Sequence, residues 1–289
     1  MMANERIDVG VVYALASSEA GRLYAARATG LYGSDDNGAS WQLVPVADVA
    51  NYVATAVATS GNTVFAGTHG AIMRSEDDGQ SWSLIGLAKP APLVTALALS
   101  PTFDAAGVAV AGTAEDGVFV TGDGGLTWVP WNYGLIDLDV HAVAISPNFS
   151  GDQTIFAATE TGLYRSANGG RSWQRLVLST GQAPWLALAF FDGTLLVGSE
   201  NGDLLQSDDL GESWQAVDLG QWQGKAINQI VAMDAVYVLA EDALLRLGPD
   251  LTEATRVEAF LQQTPLAMLP RPGGVIVGFA EGDLMAFNL

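Results

Sequence analysis

Carboxylates recur at one position of seven short turn segments, and these residues are the main candidates for chemistry in the sequence. Aligning the segments ATG, THG, AEDG, TETG, SENG, AEDA and AEGD places glutamate at the matching position five times. The glutamates are Glu115, Glu160, Glu200, Glu241 and Glu281; Asp116 and Asp242 follow two of them, and Ala28 and His69 hold the position in the first two segments. A fold that gathers these turns would create a concentrated negative field, which attracts a basic protein segment or a cation. The alternative is that glutamate in an exposed turn only keeps the protein in solution.

A second group of possible ligands lies in the run DLDVHAVAIS. If His141 begins a strand, Asp137, Asp139 and His141 face the same side as the glutamates, and clustered oxygen ligands bind hard cations. The ordered ligand ladder of a calcium loop is absent, so the sequence predicts neither a metal nor a cofactor. The stretches DDNG and EDDG also look like calcium-loop fragments, but both fall within a repeated turn that explains their carboxylates structurally.

Composition narrows the classes of partner. The chain has 289 residues with 32 acidic and 12 basic side chains, and its net charge of -20 has the wrong sign for a nucleic-acid surface. There are no cysteines, which excludes disulfides, thiolate metal sites and a cysteine nucleophile. No stretch approaches the roughly 20 apolar residues that cross a bilayer. The start MMANERIDVG does not resemble a secretory signal, so we expect a cytoplasmic protein that is not inserted in a membrane.

The elements that must position the turns are indicated by an eight-residue repeat, SxDxGx(S/T)W. Its five copies, which we call octets, occupy residues 34–41, 75–82, 121–128, 166–173 and 207–214, and their tryptophans lie 41, 46, 45 and 41 residues apart. Between the copies, runs such as NTVFAGTHGAIMRS alternate short apolar segments with turn residues and show no helical period. Each period therefore holds four short strands, which is typical of one blade of a β-propeller.

Two degenerate units complete the predicted ring. AVYVLAEDALLRLGPD and GGVIVGFAEGDLMAFNL repeat the strand pattern without an octet. The last unit lacks a fourth strand, which the segment from Arg6 to Gly10 can supply. The sequence thus predicts an all-β protein, a seven-bladed β-propeller of four-stranded antiparallel blades, closed by the N-terminal strand, which completes the last blade. We expect residues 1–289 to form this single domain.

Each octet is predicted to be a structural turn between the third and fourth strands of its blade. The fifth-position glycine can take a positive φ, the third-position Asp or Asn can accept backbone N–H bonds, and the tryptophan can bury its ring against a neighbouring strand or blade. The predicted structural residues are Asp36, Trp41, Asp77, Trp82, Asp123, Trp128, Asn168, Trp173, Asp209 and Trp214.

The octets resemble Asp-boxes, also called bacterial neuraminidase repeats. Such boxes occur in sialidases, xyloglucan-cleaving glycosidases, sortilin-type receptors and photosystem II assembly propellers. The resemblance covers nearly the whole chain and implies a sialidase-like propeller fold. Because enzymes, receptors and assembly factors all carry the motif, it does not select a function.

Two enzymatic interpretations can be tested on the sequence. Sialidases hold the substrate carboxylate with three convergent arginines, whereas Arg74, Arg165 and Arg246 share one position on the third strands of different blades and should point apart. Sialidase activity is therefore disfavoured. A carboxylate-pair glycosidase stays open because 32 acidic residues supply chance pairs. Trp131, Trp185 and Trp222, outside the octets, could form a sugar-stacking platform or lie buried between blades.

The sequence favours a non-catalytic protein-binding or assembly scaffold. In this interpretation the acidic face at the mouth of the central channel binds a protein partner with a basic segment. The alternative is a carbohydrate-active protein, either a glycan-binding module or a carboxylate-pair glycosidase.

Overall fold

The computed structural model describes residues 10–46, 51–87, 91–178, 184–248, 250–251, 253–260, 262–271 and 273–288. These residues form seven small antiparallel sheets arranged in a ring, and the predicted seven-bladed β-propeller is confirmed. Within each sheet the strands follow one another in chain order. Six sheets have four strands, and the seventh has three among the described residues.

The first four blades contain sixteen strands. Blade 1 comprises β1 (Val12–Ser17), β2 (Leu23–Arg27), β3 (Gly30–Ser34) and β4 (Gln42–Leu43). Blade 2 comprises β5 (Ala56–Ser60), β6 (Thr63–Gly67), β7 (Ala71–Ser75) and β8 (Ser83–Gly86). Blade 3 comprises β9 (Leu93–Leu99), β10 (Ala109–Ala114), β11 (Gly117–Thr121) and β12 (Val129–Pro130). Blade 4 comprises β13 (Val140–Ile145), β14 (Ile155–Thr159), β15 (Leu163–Ser166) and β16 (Gln174–Arg175).

The last three blades contain the other eleven strands of the described chain. Blade 5 comprises β17 (Trp185–Phe191), β18 (Thr194–Ser199), β19 (Leu204–Ser207) and β20 (Gln215–Val217). Blade 6 comprises β21 (Ile227–Ala232), β22 (Val236–Ala240), β23 (Ala243–Leu247) and β24 (Ala254–Ala259). Blade 7 comprises β25 (Pro265–Arg271), β26 (Gly274–Phe279) and β27 (Leu284–Asn288).

Short helices account for the two longest repeats. The helices α1 (Phe103–Ala106) and α2 (Phe149–Asp152) occupy equivalent turns between the first and second strands of blades 3 and 4, and a 3-10 turn spans Gly220–Trp222. Phe103 is buried and packs edge-on against Phe65 of blade 2, with ring centroids 5.6 Å apart. No helix in the described part of the chain is both long and apolar enough to cross a membrane.

Blade packing explains why the second strands are rich in small and β-branched residues. These strands lie in the middle of their blades and are covered on both sides, and β2, β14 and β22 are buried along their whole length. Near the end of the strand a glycine allows the first strand of the next blade to approach. A Cβ on Gly198 would lie only 2.5 Å from Ile227 Cγ2. The same contact joins Gly67 to Val94, Gly112 to Val140 and Gly278 to Val12.

The contact between Gly278 and Val12 joins blade 7 to blade 1 and closes the ring. Val12 belongs to a hydrophobic cluster that includes Leu23 of blade 1 and Ile276 of blade 7. Arg27, which is 3% exposed, donates from Nη1 to the carbonyl of Gly282 across the same interface at 3.1 Å. The predicted closing strand from Arg6 to Gly10 lies, except for Gly10, outside the described residues.

Candidate functional site

The alternation of strand direction assigns the turns to two faces of the ring. The octets and the turns between first and second strands lie on one face, which we call the octet face. The turns between second and third strands lie on the other, together with the links between blades. The first strands of all seven blades line a central cavity of about 220 Å³, as the participation of Ala14, Val57, Ala96, Ala142, Leu186, Asn228 and Leu266 shows.

The acidic rim, by which we mean Glu115, Glu160, Glu200, Glu241 and Glu281, lies in the turns between second and third strands. All five side chains are exposed. In blades 4 to 6 the glutamate N–H donates to the carbonyl that directly precedes the first strand: Glu160 to Asp139 at 3.1 Å, Glu200 to Pro184 at 2.9 Å and Glu241 to Ala226 at 2.8 Å. Because the first strand lines the central cavity, these turns lie beside its mouth.

The rim carboxylates differ in the groups that contact them. Glu160 Oε2 lies 3.2 Å from His141 Nε2. Glu281 Oε2 accepts the backbone N–H of Thr264 at 3.1 Å. The side chains of Glu115 and Glu200 have no hydrogen-bond or ion-pair partner among the described residues. The rim glutamates with neither a partner nor a nearby lysine in the described part of the chain are therefore those of blades 3 and 5, on either side of the pair formed by Glu160 and His141.

A lysine already occupies the rim at blade 6. Lys225 Nζ lies 3.2 Å from Asp242 Oδ2. The hydrogen bond to Asp242, with the charges of Asp242 and Glu241, raises the pKa of Lys225. This pair shows how an ammonium group can be held at a rim turn, although its two side chains are about 40% exposed and the pair contributes little stability.

The other two predicted rim residues have different surroundings. His69 is exposed, pairs with Leu93 through an isolated β-bridge, and lines an apolar pocket of about 340 Å³ with Tyr52 and Val53. Asp116 lies next to Glu115, and its backbone carbonyl accepts a hydrogen bond from Asn132 Nδ2 at 2.9 Å. His69 interrupts the row of carboxylates, whereas Asp116 extends it.

The three residues considered as a weak cation site do not point into a shared ligand cluster. Asp137 Oδ2 instead accepts hydrogen bonds from Thr159 Oγ1, Thr161 N and Thr161 Oγ1 at 2.8, 2.6 and 2.6 Å. Burial raises the pKa of Asp137, but these bonds outweigh it and the pKa is lowered. His141 pairs with Glu160, and no group of three or more His, Asp or Glu suited to a metal occurs in the described part of the chain.

Each octet is a closed hydrogen-bonded turn. In the fifth copy, Ser207 Oγ donates to Asp209 Oδ1 and accepts from the backbone N–H of Gly211, both at 2.8 Å. Asp209 also accepts from the backbone N–H of Ser213 at 2.8 Å and from its hydroxyl at 2.6 Å. The same bonds recur in the first three copies. Led by the seventh-position hydroxyl, they lower the pKa values of Asp36, Asp77, Asp123 and Asp209 to about 2.

The fourth octet keeps this geometry with an amide. Asn168 Oδ1 accepts from Ser166 Oγ and from the backbone N–H of Ser172, both at 2.9 Å. Asn168 Nδ2 donates to Ser172 Oγ at 2.8 Å, so the hydroxyl is the acceptor here and the donor in the other copies. The turn therefore depends on the position of the third-residue oxygen that accepts the Ser hydroxyl and the backbone N–H, and less on the charge of that residue.

The octets also join consecutive blades, the second of the two alternatives, a neighbouring strand or a neighbouring blade, that the sequence left open for the tryptophan rings. Trp82 of blade 2 packs edge-on against Tyr24 of blade 1, and Trp128 of blade 3 against Phe65 of blade 2, with centroids 6.3 and 5.9 Å apart. Trp214 of blade 5 shares a hydrophobic cluster with Phe156 of blade 4. Trp41 shares one with Ile276 of blade 7, and Trp173 with Val110 of blade 3.

Arginines of the preceding blade bind the octet backbone, a role that the sequence reasoning missed. Arg74 Nε donates to Gly124 O at 2.6 Å, and Arg165 Nη1 donates to Leu210 O at 2.8 Å. The equivalent carbonyls of Asp78 and Asn37 accept from Arg22 and Arg271 at 3.3 and 3.4 Å. The arginines thus lie at separate blade interfaces, and Arg74 and Arg165 are held apart because each binds the octet of the blade that follows its own.

The three tryptophans outside the octets do not present a shared surface. Trp185 is 1% exposed and packs in the hydrophobic cluster between blades 4 and 5, so its ring is not available for stacking. Trp131 is half-buried under the guanidinium of Arg171, 5.2 Å from the ring centroid. Trp222 is half-buried against the cluster between blades 5 and 6. Trp185 therefore cannot take part in the sugar-stacking platform that the sequence left open.

Solved structures of known proteins are similar to this one in fold, but the comparisons show no family for this chain. No protein-family model and no curated protein matches this sequence. YCF48 from Cyanidioschyzon merolae is similar in structure, with a TM-score of 0.71 and 18% identity over 98% of this chain and 96% of that one. YCF48 bound to D1 peptide gives 0.76 and 17%, over 98% and 93%. Virginiamycin B lyase from Staphylococcus aureus gives 0.77 and 12%, over 98% and 96%. At these identities the likeness shows the propeller fold.

Proposed function

We propose that this chain is a non-catalytic protein-binding or assembly propeller whose acidic rim binds a basic segment of a protein partner. The observation that carries the proposal is the placement of five exposed glutamates at equivalent turns on one face, beside the channel mouth. Like charges gathered in this way repel one another, and a positively charged partner relieves that repulsion.

The contact is expected to centre on blades 3 to 5. Glu115 and Glu200 lack partners among the described residues, and Glu160 between them is paired only with His141. Ile136, in the link between blades 3 and 4, is 84% exposed and lies beside Asp137, which is bonded to the turn that follows Glu160. An apolar side chain among carboxylates favours a partner segment in which basic residues flank a hydrophobic one.

The comparisons support peptide binding in general terms. A propeller of the same shape, YCF48, has been solved bound to D1 peptide. Virginiamycin B lyase has the same shape and is named as an enzyme, so the fold alone does not choose between these roles. The hydrogen bonds of the octets support their assignment as Asp-boxes, and the cluster that joins blades 7 and 1 supports a single propeller domain over residues 1–289.

The test removes three rim charges and compares the result with removal of three charges from the opposite face. The rim variant carries Glu115→Gln, Glu160→Gln and Glu200→Gln. The control carries Glu19→Gln, Asp192→Asn and Asp234→Asn, which are exposed acids in turns on the octet face. Both variants change the net charge equally, so any difference between them reports position.

The probe is a fluorescein-labelled 12-residue peptide in which lysines flank a central leucine, followed by anisotropy at two salt concentrations. We expect the rim variant to bind at least about 10-fold more weakly and the control to bind as the unmodified protein does. The affinity of the unmodified protein should fall between 50 and 200 mM salt, because exposed charges are screened over about 8–10 Å. Equal weakening in both variants would show that only net charge matters and would refute the proposal.

A further inference from the structure

Blades 2, 4 and 6 each contain the same kind of side-chain pair, which faces the next blade near the octet face. An aromatic residue on the second strand lies directly opposite an arginine on the third. The pairs are Phe65 with Arg74, Phe156 with Arg165 and Tyr237 with Arg246. We call each pair an aromatic–arginine clamp.

In blades 2 and 4 the clamp holds the octet of the following blade. Arg74 and Arg165 donate to the carbonyl at the fourth position of that octet, at 2.6 and 2.8 Å. The aromatic ring contacts the fifth-position glycine, and a Cβ on Gly125 would lie 2.3 Å from Phe65 Cε1. The ligand of an occupied clamp is thus a tight turn that presents a backbone carbonyl followed by a glycine with positive φ.

The clamp of blade 6 faces a cavity instead. The five octets lie in blades 1 to 5, after the third strand of each. Tyr237 and Arg246 line a cavity of about 560 Å³ between blades 6 and 7, together with Asp234, Arg271 and Asn288. The side chain of Arg246 is exposed and has no hydrogen-bond or ion-pair partner among the described residues.

A second arginine strengthens the case for a ligand. Arg271 donates from Nη1 to Asn37 O at 3.4 Å, but its Nε is buried and has no partner in the described part of the chain. A buried donor left without an acceptor is costly, so an oxygen supplied from outside would be favoured here. The cavity carries two guanidinium groups and one carboxylate, Asp234, which makes it locally positive in a protein of net charge -20.

We propose that this cavity is a binding site for a tight, acidic, glycine-containing turn of a partner polypeptide, held as the occupied clamps hold an octet. Arg246 would bind the turn carbonyl and Arg271 would bind an acidic side chain of the turn, while the ring of Tyr237, which is 2% exposed, forms the floor of the cavity. The volume lies within the roughly 300–1,000 Å³ of binding pockets. The site lies on the octet face, opposite the acidic rim, and it selects the opposite charge. The inference therefore goes beyond the proposed function and is independent of it.

The experiment uses the unmodified chain and a backbone-cyclised, fluorescein-labelled peptide that contains SDDLGESW, the fifth octet. Cyclisation preserves the turn. Three variants of the protein are compared: Arg246→Gln, Arg246→Lys and Arg165→Gln. Arg165→Gln is the matched control because its clamp is already filled by Leu210 and Glu212. A second peptide with valine in place of glycine tests the requirement for positive φ.

We expect saturable binding that Arg246→Gln weakens at least about 10-fold, with an unchanged melting temperature. Arg246→Lys should also weaken it, because an ammonium group lacks the guanidinium fork. Arg165→Gln should leave peptide affinity unchanged and lower the melting temperature, and the valine peptide should bind at least about 10-fold more weakly. The absence of saturable binding up to about 1 mM peptide would overturn the proposal. Equal affinity in Arg246→Gln would overturn it as well, whatever the result of the rim experiment.

Discussion

The octet tryptophans of blades 3 and 4 offer a sharp test of the packing described here. Both rings are nearly buried: Trp128 is 8% exposed and Trp173 is 6% exposed. Their indole N–H groups differ, because Trp173 Nε1 donates to Trp131 O at 2.7 Å, whereas Trp128 Nε1 is buried with no acceptor among the described residues. Replacing each tryptophan with phenylalanine keeps most of the ring and removes the N–H.

The two substitutions should therefore lower the free energy of unfolding by different amounts. Each loses roughly 40–50 Å² of buried apolar surface, or about 1 kcal/mol. Trp128→Phe also removes an unsatisfied buried donor, which stabilises the folded protein by about 1–2 kcal/mol. The net change in its free energy of unfolding should therefore be within about 1 kcal/mol of zero. Trp173→Phe instead breaks a hydrogen bond and deprives the Trp131 carbonyl of its indole donor, which brings its total to about 2–3 kcal/mol.

The assay is urea unfolding at pH 7 and 25 °C followed by far-ultraviolet circular dichroism, since tryptophan fluorescence changes with the substitution itself. We expect Trp173→Phe to be about 2 kcal/mol less stable than Trp128→Phe, with equal m values. Trp128→Ala and Trp173→Ala provide the control for burial and should each cost about 3–5 kcal/mol. If the two phenylalanine variants lose the same stability, the Trp128 N–H is satisfied and the reasoning is wrong.

Two further predictions concern blade contacts and acid stability. Gly198→Ala should cost about 1–3 kcal/mol in urea unfolding, because its Cβ would lie 2.5 Å from Ile227 Cγ2, whereas Gly86→Ala, with no atom within 4 Å, should be nearly neutral; equal costs would contradict the close packing. Asp209 has a folded pKa of about 2, below its usual 3.8, so it contributes stability above pH 3.8 that is lost as the pH falls through about 2. Asp209→Asn, which copies the arrangement of Asn168, should make the fall in melting temperature between pH 4 and 2 shallower, and an unchanged slope would refute this linkage.

The sequence determined the blade, because its signals are local and repeated. The octet SDDLGESW contains every side chain that closes its own turn, from the hydroxyl of Ser207 to the acceptor Asp209 and the hydroxyl of Ser213. The spacing of these turns sets the length of a four-stranded meander. The five repeats with an octet and the two degenerate units without one set the number of blades at seven. For the same reason the turns that carry the acidic rim align with one another on sequence alone.

Only the tertiary structure decided which of these residues are free to bind. Trp185 and Trp222 look alike in the sequence, yet Trp185 is almost fully buried because it begins an inner strand. The contact between Glu160 and His141 joins residues 19 positions apart, and the carbonyl bound by Arg165 lies 45 positions away in the next blade. The first contact depends on how β13 and β14 pair within blade 4, and the second on how consecutive blades are rotated about the ring axis; no local sequence pattern encodes that rotation.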